Sequence, residues 1–476
     1  MKKAGIWVLL FAFLLSACST GGNADTGNPV QASAEPTARE IRYAEDGRII
    51  LTIGAFQTDS SIAAGGDLPS YTQLKKAVDR FNGKNEAYRI EIRSYGDAAG
   101  ADAMYALNSE ILGGDMPDML MTYGMPKESY ARKGLLLDLY SWYERDQFFS
   151  GPVRSMETEG KLYAVSPSIQ LVSFIGLESV LGRTAGYSLE DIYGAWEWFH
   201  TGENAFIPYF NAEYTFLVLA GMRMAEWVDA ASGACRFDSP EFLSLLEFCR
   251  KLPAEAVVTQ SEAYAEGRYT YDQINALCVK NEDALLGLLY IQGEVGSVLG
   301  QYAGQVTPLD GEPIVHVGIP GTVPAAAGCI GELPIAVSAR CADQEGAKQF
   351  LDSLWDLRYR AVHEGDMRSI PLVRSILEEY IRFYKEHSSQ TFTDENGREY
   401  SAIVFSGIIS PFRDADIDAF LALIESAGVP VPPAFSSKVD PILAEEALAF
   451  FAGTQSAEKI AKNIQTRYSV YLEEQK

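Results

Sequence analysis

Histidine is scarce in this chain, and the residue patterns of common catalytic and metal sites are missing. Only four histidines occur among 476 residues, at His200, His316, His363 and His387. They lie far apart in the sequence, and no Gly-x-Ser-x-Gly, His-Glu-x-x-His, phosphate-binding loop or Gly-x-Gly-x-x-Gly motif accompanies them. The sequence therefore predicts no catalytic residues, no metal site and no cofactor.

Clusters of basic residues are also missing, and acidic residues predominate. The chain has 39 Lys and Arg against 64 Asp and Glu, which gives a formal net charge of −25. A surface with this charge repels the phosphates of nucleic acids and the headgroups of anionic lipids. We therefore expect no nucleic-acid partner.

Cysteines with metal-like spacing are absent as well. After Cys18, five cysteines follow without a Cys-x-x-Cys pair: Cys235, Cys249, Cys278, Cys329 and Cys341. Because the number is odd, at least one of them has no partner within the chain. We expect buried thiols, and a single disulfide among the five stays open as an alternative.

The apolar run at the N-terminus is too short to span a bilayer of about 30 Å. Lys2 and Lys3 precede the run from Ile6 to Leu15, and Leu15-Ser16-Ala17-Cys18 follows it. A charged start, a short apolar stretch and small residues before a cleavage site are typical of a secretory signal. The four residues that end at Cys18 resemble the lipobox of bacterial lipoproteins. That resemblance implies removal of residues 1–17, acylation of Cys18 by palmitate-type chains, and a lipid anchor on the extracellular face of the cell membrane. An ordinary signal peptide is the alternative.

Composition divides the rest of the chain into a tether and a folded body. Residues 18–41 are rich in Gly, Ser, Thr, Asn, Ala and Pro and contain almost no large apolar side chain, which predicts a flexible tether. The body from residue 42 to residue 476 is too long for one small core, and its length predicts two domains.

Strands and helices alternate in the first part of the body. Apolar periodicity predicts a strand at Ile49–Phe56, a helix at Tyr71–Phe81, a strand at Tyr88–Tyr95, a helix at Ala101–Leu112 and a strand at Asp118–Tyr123. This order favours a parallel sheet flanked by helices, in which ligands bind at the carboxyl ends of the strands. Farther along, Ser239-Pro240 is typical of a helix start, and residues 229–233 predict a hairpin turn rather than a calcium loop.

Several short motifs occur in the order found in one family of transport proteins. They are Gly114-Asp115-Met116-Pro117-Asp118, Lys133 to Leu139, Gly160 to Val165, Gly186 to Ile192, Gly318 to Gly321, Pro334 to Ser338, Gly346 to Leu351 and the C-terminal stretch from Glu445 to Leu472. Together they resemble the extracellular solute-binding proteins of ABC importers, family 1, the branch that includes maltose-binding protein.

The resemblance implies an α/β fold with two periplasmic-binding-protein-like lobes, a hinge and a ligand cleft between the lobes. The N-terminal lobe is expected to hold residues 42–164 and 291–338, and the C-terminal lobe residues 165–290 and 339–476, so that both are discontinuous. It also implies a monomer that captures a small solute, a sugar or oligosaccharide, and delivers it to the permease of an ABC transporter for sugar transport.

A cleft that binds a hydroxyl-rich ligand requires aromatic faces and short polar groups. Tyrosine is abundant, with 25 residues. The candidate ligand-binding residues, drawn from the predicted loops and the implied hinge, are Gln57, Asp59, Tyr123, Tyr209, Phe210, Tyr290, Gln292 and Glu332.

Two other classes of function share these sequence features. A surface-anchored polysaccharide-active enzyme has the same signal and an aromatic cleft, and it needs a pair of carboxyl groups about 5–10 Å apart. A ligand-sensing partner of a membrane histidine kinase differs only in the protein that receives the signal. Both stay open at the level of sequence.

Overall fold

The computed structural model describes most of the chain beyond residue 38, and residues 38–476 form one unit. The described ranges are 39–56, 71–95, 101–122, 125–182, 186–200, 204–229, 232–256, 271–292, 298–299, 302, 312–321, 327–355, 370–387, 389–393, 397, 399–405, 408–411, 414–431 and 440–474. Cys18, Gln57, Asp59 and Tyr123 lie outside the described residues.

Strands occur along the whole described chain. They are β1 Arg42–Tyr43, β2 Ile49–Ala55, β3 Tyr88–Ser94, β4 Met119–Met121, β5 Ser168–Leu177, β6 Val228–Asp229, β7 Ala234–Cys235, β8 Gly287–Ile291, β9 Ile314–Gly318, β10 Gly328–Glu332, β11 Ile335–Val337, β12 Ile370–Pro371, β13 Ser389–Thr393, β14 Glu399–Phe405, β15 Ile408–Pro411 and β16 Val429–Pro430.

Helices separate most of these strands. They are α1 Tyr71–Lys84, α2 Ala101–Leu112, α3 Lys127–Arg132, α4 Ser150–Met156, α5 Glu178–Leu181, α6 Leu189–Phe199, α7 Ala212–Met222, α8 Met224–Trp227, α9 Pro240–Arg250, α10 Tyr271–Lys280, α11 Gln344–Leu354, α12 Arg374–His387, α13 Asp414–Ser426, α14 Pro441–Phe451 and α15 Ala457–Glu474. Two short 3₁₀ turns span Leu139–Ser141 and Arg145–Gln147.

The first sheet is built from the alternating segment that the sequence predicts. β2 pairs in parallel with both β3 and β4, while β1 pairs antiparallel with β2 and β11 antiparallel with β4. The β-α-β-α-β prediction is confirmed to within a few residues at each boundary. Helix α11 packs on this sheet, because Gly346 has no side chain to collide with the ring of Tyr88 and with Leu51.

A buried carboxylate connects three segments of the first sheet. Asp118, just before β4, accepts hydrogen bonds from the backbone N–H of Thr52 at 2.8 Å, from the Thr52 hydroxyl at 2.9 Å and from the backbone N–H of Ala342 at 2.9 Å. The side chain of Asp118 is almost fully buried. One residue therefore joins β2, β4 and the turn that leads into α11.

The second sheet is organised around β5, whose ten residues are all buried. β10 and β9 pair with one edge of β5, and β12 and β8 with the other, because Leu171 pairs with both Cys329 and Ile291. All four pairings are antiparallel, and β16 adds to β10 in parallel. β9 and β10, which pair with β5, account for most of the strand residues between 291 and 338, so these residues lie mainly in the second sheet. From the sequence alone, residues 291–338 were expected in the N-terminal lobe.

The chain passes between the sheets three times, and two of these passages are adjacent segments of the described chain. Residues 165–168 lead into β5, and residues 332–335 lead from β10 to β11. Val165 and Ile335 exchange both of their backbone hydrogen bonds, at 3.0 and 2.9 Å. The two connections are therefore a single antiparallel ladder, which we call the crossover pair.

The predictions of a hairpin and of a helix start are confirmed in the described residues, and four of the five expected buried thiols are buried, Cys235 being partly exposed. β6 and β7 form the expected hairpin around residues 229–233. Ser239 caps α9 by accepting the backbone N–H of Phe242, with Pro240 in the first turn. All five cysteines beyond Cys18 are free thiols. Within the described ranges, no helix has the length and apolar character needed to cross a membrane.

Candidate functional site

The two faces of β5 meet different cores. Side chains of a strand alternate between faces. Val172 and Phe174 lie in a core that also contains residues of α6, α7, α9, α14 and α15, whereas Ile169 and Leu171 lie in a core that extends to the first sheet. Ser168 and Gln170 therefore share a face with Val172 and Phe174, at the end of β5 that adjoins the crossover pair.

A buried carboxylate lies at this end of the sheet. Glu332, the last residue of β10, pairs across the ladder with Ser168. Its carboxylate accepts a hydrogen bond from the Ser168 hydroxyl at 2.9 Å and another from the side-chain amide of Gln170 at 2.5 Å. All three side chains are at most 5% exposed. Hydrogen bonds to a charged acceptor are stronger than neutral ones, so this network fixes the side-chain amide of Gln170.

Tyr290 and Gln292 approach the same face from the other edge of β5. Tyr290 pairs with Val172, and Ile291 pairs with Leu171. Continuation of this register by one residue sets Gln292 opposite Gln170. We call Tyr290, Gln292, Gln170 and Glu332 the aromatic–amide strip.

Helix α10 covers the outer edge of β8. The Asp272 carboxylate accepts the backbone N–H of Tyr290 at 3.1 Å, and the Asn275 side-chain oxygen accepts the backbone N–H of Leu288 at 3.1 Å. Residues three apart on a helix lie on one side, and N–H groups two apart on a strand point to one edge, so the two spacings match. Burial raises the pKa of Asp272 to about 6, and the N–H of Tyr290 lowers it only in part.

Tyrosine rings gather beside Asp272. Tyr209 lies in the turn before α7, and its ring centroid is 6.2 Å from that of Tyr271 at an interplanar angle of 36°. Burial raises the pKa of Tyr271, and the neighbouring Tyr214, Asp272 and Tyr209 raise it further.

Two residues with large side chains at this site hold a left-handed backbone. Tyr209 has φ of 66°, and Leu333, between β10 and β11, has φ of 49°. Non-glycine residues reach this region at a cost, and they persist there when the surrounding structure holds them, which is common at binding and switch sites. Tyr209 lies beside Tyr271 at the start of α10, and Leu333 lies in the crossover pair.

Four of the five described candidate residues lie on or near β5 and β8, and the fifth lies in the core. Tyr290 and Gln292 lie beside one edge of β5, and Glu332 lies beside the other. Tyr209 contacts Tyr271 of α10, the helix that covers β8. Phe210 is 8% exposed and packs edge-on against Tyr214 at 4.6 Å, so its ring belongs to the core. Gln57, Asp59 and Tyr123 lie outside the described residues.

Sequence reasoning missed Gln170, Ser168 and Asp272. Ser168 and Gln170 are polar residues at alternate positions of an otherwise apolar strand, a pattern that marks one end of one strand face. Asp272 carries no such signal, because an acidic residue in the first turn of a helix is ordinary.

Comparisons with known proteins find similarity among solved structures. No protein-family model and no curated protein matches the chain. One similar structure is the extracellular solute-binding protein family 1 from Alicyclobacillus acidocaldarius, which is 15% identical, covers 89% of this chain and 98% of its own, and has a TM-score of 0.49.

Two further similar structures are those of MalE proteins. The sugar-binding protein MalE from Xanthomonas citri is 13% identical, with 89% of this chain and 98% of that chain covered and a TM-score of 0.49. Maltose-bound MalE3 from T. maritima is 17% identical, with 89% and 99% covered and a TM-score of 0.44.

Proposed function

We propose that this chain is the lipid-anchored extracellular solute-binding component of an ABC importer, which captures a sugar or oligosaccharide and delivers it to a membrane permease. The observation that carries the proposal is the aromatic–amide strip beside the crossover pair. Aromatic faces and amide groups suit a ligand with apolar ring faces and many hydroxyls. A site next to the connection between two sheets can also couple binding to a rotation of one sheet against the other.

The proposed lobes follow the two sheets. The first lobe is built on β1–β4 and β11 with α11, and the second on β5, β8–β10, β12 and β16. This assignment moves β9 and β10 into the second lobe because of their pairing with β5. Both lobes stay discontinuous, and the ligand lies where they meet.

The test of solute binding is a screen of sugars and oligosaccharides on the detergent-solubilised full chain. A ligand present at 100 times its dissociation constant stabilises the folded state by about 2.7 kcal/mol, which shifts the thermal midpoint upward. If no carbohydrate raises the thermal midpoint, the hypothesis that the protein binds a sugar is rejected.

Replacing Tyr209 by Ala is expected to weaken the binding of the best ligand of that screen tenfold to a hundredfold. Truncating one large ring removes about 1–3 kcal/mol of apolar contact. Calorimetry measures the affinity, and Tyr43→Ala is the matched control, since Tyr43 lies in the outer strand β1 and is 64% exposed. Equal losses for the two variants, or none for Tyr209→Ala, would remove Tyr209 from the site.

Replacing Cys18 by Ser is expected to release the protein from the membrane. A serine hydroxyl does not receive the thioether-linked lipid, and stable anchoring requires more than one acyl chain. Cell fractionation followed by immunoblotting measures the membrane-bound share. The Ser19→Ala variant, next to the acylated residue, is the control and should stay bound; equal membrane association of Cys18→Ser and wild type would contradict the anchor.

A further inference from the structure

Ser166, in the first connection of the crossover pair, has a buried hydroxyl group without a partner. The residue is 0% exposed, and its Oγ has no hydrogen-bond partner among the described residues. Such a group costs free energy, because it has lost its hydrogen bonds to water and gained none in the protein. Ser173 of β5 is equally buried, but its hydroxyl donates to the carbonyl oxygen of Phe174 at 2.8 Å and accepts the N–H of Gly318 at 3.2 Å. Burial in this sheet therefore does not by itself deprive a serine of partners.

The hydroxyl of Ser166 packs against the end of β10. A Cβ atom on Gly331 would lie 2.4 Å from the Oγ of Ser166 and 3.1 Å from the Cε of Met156, so a side chain at position 331 collides with both. Gly331 directly precedes Glu332, where the second connection begins. Glycine at this position therefore permits the two connections to approach each other closely.

The second connection has an unfavourable feature of its own, the backbone of Leu333. Its φ of 49° is in the left-handed region, and the residue is 6% exposed. Glu159 and Glu282 also have positive φ, but both are exposed turn residues. A buried leucine between two strands keeps this conformation only where the surrounding structure imposes it. Each connection thus contains one residue in an unfavourable state, and the two residues lie on either side of the contact at Gly331.

Unfavourable features that collect at one connection indicate a second arrangement that relieves them. We propose that the crossover pair is a strained hinge. The described arrangement of the two lobes holds Ser166 and Leu333 in unfavourable states. In a second arrangement, which the ligand-free protein also populates, the Ser166 hydroxyl gains a partner and Leu333 leaves the left-handed region. The strain thereby sets the balance between the two arrangements before a ligand binds. This inference rests on the proposed function for its two lobes, and its test contains no ligand.

The test measures the distance between two spin labels, one on each lobe, by pulsed EPR on the detergent-solubilised full chain. The labels are attached through Lys84→Cys in α1 and Glu197→Cys in α6, both at exposed positions, and Cys235→Ser removes the one partly exposed thiol among the described cysteines. This background is expected to give two distances, one of which matches the structure. Ser166→Ala removes the unpartnered hydroxyl, so it should enrich the matching population by about fivefold or more relative to the other.

Gly331→Ala is expected to change the ratio of the two populations in the opposite direction. Its methyl group collides with the Ser166 hydroxyl in the described arrangement, which should therefore be depleted. The double variant with Ser166→Ala lacks that hydroxyl, and its ratio should lie between those of the single variants. Ser173→Ala is the matched control. It should lower the thermal midpoint, since it removes two buried hydrogen bonds, and leave the ratio within about twofold of wild type.

A single distance in the background protein would overturn the inference. A change in the same direction for Ser166→Ala and Gly331→Ala, or an equal change for Ser173→Ala, would also overturn it. The sugar screen is a separate measurement. If the populations behave as expected but no carbohydrate binds, the hinge stands and the proposed solute binding fails. If a carbohydrate binds and the ligand-free protein shows one distance, the hinge fails and solute binding stands.

Discussion

Replacing Asp118 by Ala is expected to lower the free energy of unfolding by about 3–5 kcal/mol. The substitution removes the acceptor of two buried donors, the N–H and hydroxyl of Thr52, and of the partly buried N–H of Ala342. Each buried donor left without a partner costs about 1–3 kcal/mol, and water entering the cavity recovers part of the sum. The guanidinium of Arg39, 3.8 Å from Asp118, also loses a counter-charge.

Urea titration followed by circular dichroism measures this effect, and hydrogen exchange at the amides of Thr52 and Ala342 localises it. Asp115→Ala is the matched control. Asp115 lies in the same turn and pairs with Arg39 and Arg93, but its side chain is 58% exposed, so its loss should cost less than about 1 kcal/mol. A loss below 1 kcal/mol for Asp118→Ala would show that the network contributes little to the first sheet.

Replacing His316 by Phe is expected to remove an acid-dependent loss of stability of about 3 kcal/mol. The His316 ring stacks on Tyr302 at 5.0 Å, and within the described part of the chain neither ring nitrogen has a hydrogen-bond partner. Burial lowers the pKa of His316 from 6.5 to about 4. Its folded-state pKa is thus below its unfolded value, so its contribution to stability is complete above pH 6.5 and is lost as the pH falls towards 4. Each pKa unit corresponds to about 1.4 kcal/mol.

Asp272 acts in the opposite direction over nearly the same range. Its folded-state pKa of about 6 lies above the reference value of 3.8, so the folded state gains stability as the pH falls through 6. Urea titrations between pH 4 and pH 7 should therefore show that His316→Phe becomes more stable than wild type on acidification. Asp272→Asn should show the reverse, with a steeper acid loss than wild type.

His200→Phe provides the control for the histidine variant, because it alters an exposed ring stacked on Trp196. It should leave the pH dependence of stability as it is in wild type. Parallel curves for wild type and His316→Phe would mean that His316 takes up its proton without unfolding, through a rearrangement that exposes the ring.

The sequence predicts the first sheet better than the second for a physical reason. β2, β3 and β4 are parallel, and their order follows from local apolar periodicity and the helices between them. In the second sheet, β5 pairs with four strands from distant parts of the chain, and periodicity carries no information about partners. The pairing of β9 with Phe174 to Leu177 is an example, and it explains the difference in the lobe division.

The candidate site shows the same limit. Tyr290 and Gln292 were predictable because they end an apolar strand near an implied hinge. Predicting Gln170 as a site residue would have required knowing that β5 lies between β8 and β10, and only the fold shows this. Asp272 needed more still, because its hydrogen bond with the N–H of Tyr290 depends on how α10 lies against β8, and a sequence records no distances.

The crossover pair also limits how the two sheets can move. Since Val165 and Ile335 are joined by two backbone hydrogen bonds, the connections cannot turn independently without breaking that ladder. A rotation that keeps this ladder intact must turn both connections together. If the proposed function is right, a ligand on the aromatic–amide strip binds next to this ladder, where a small displacement of the two connections corresponds to a much larger one at the outer rim of each sheet.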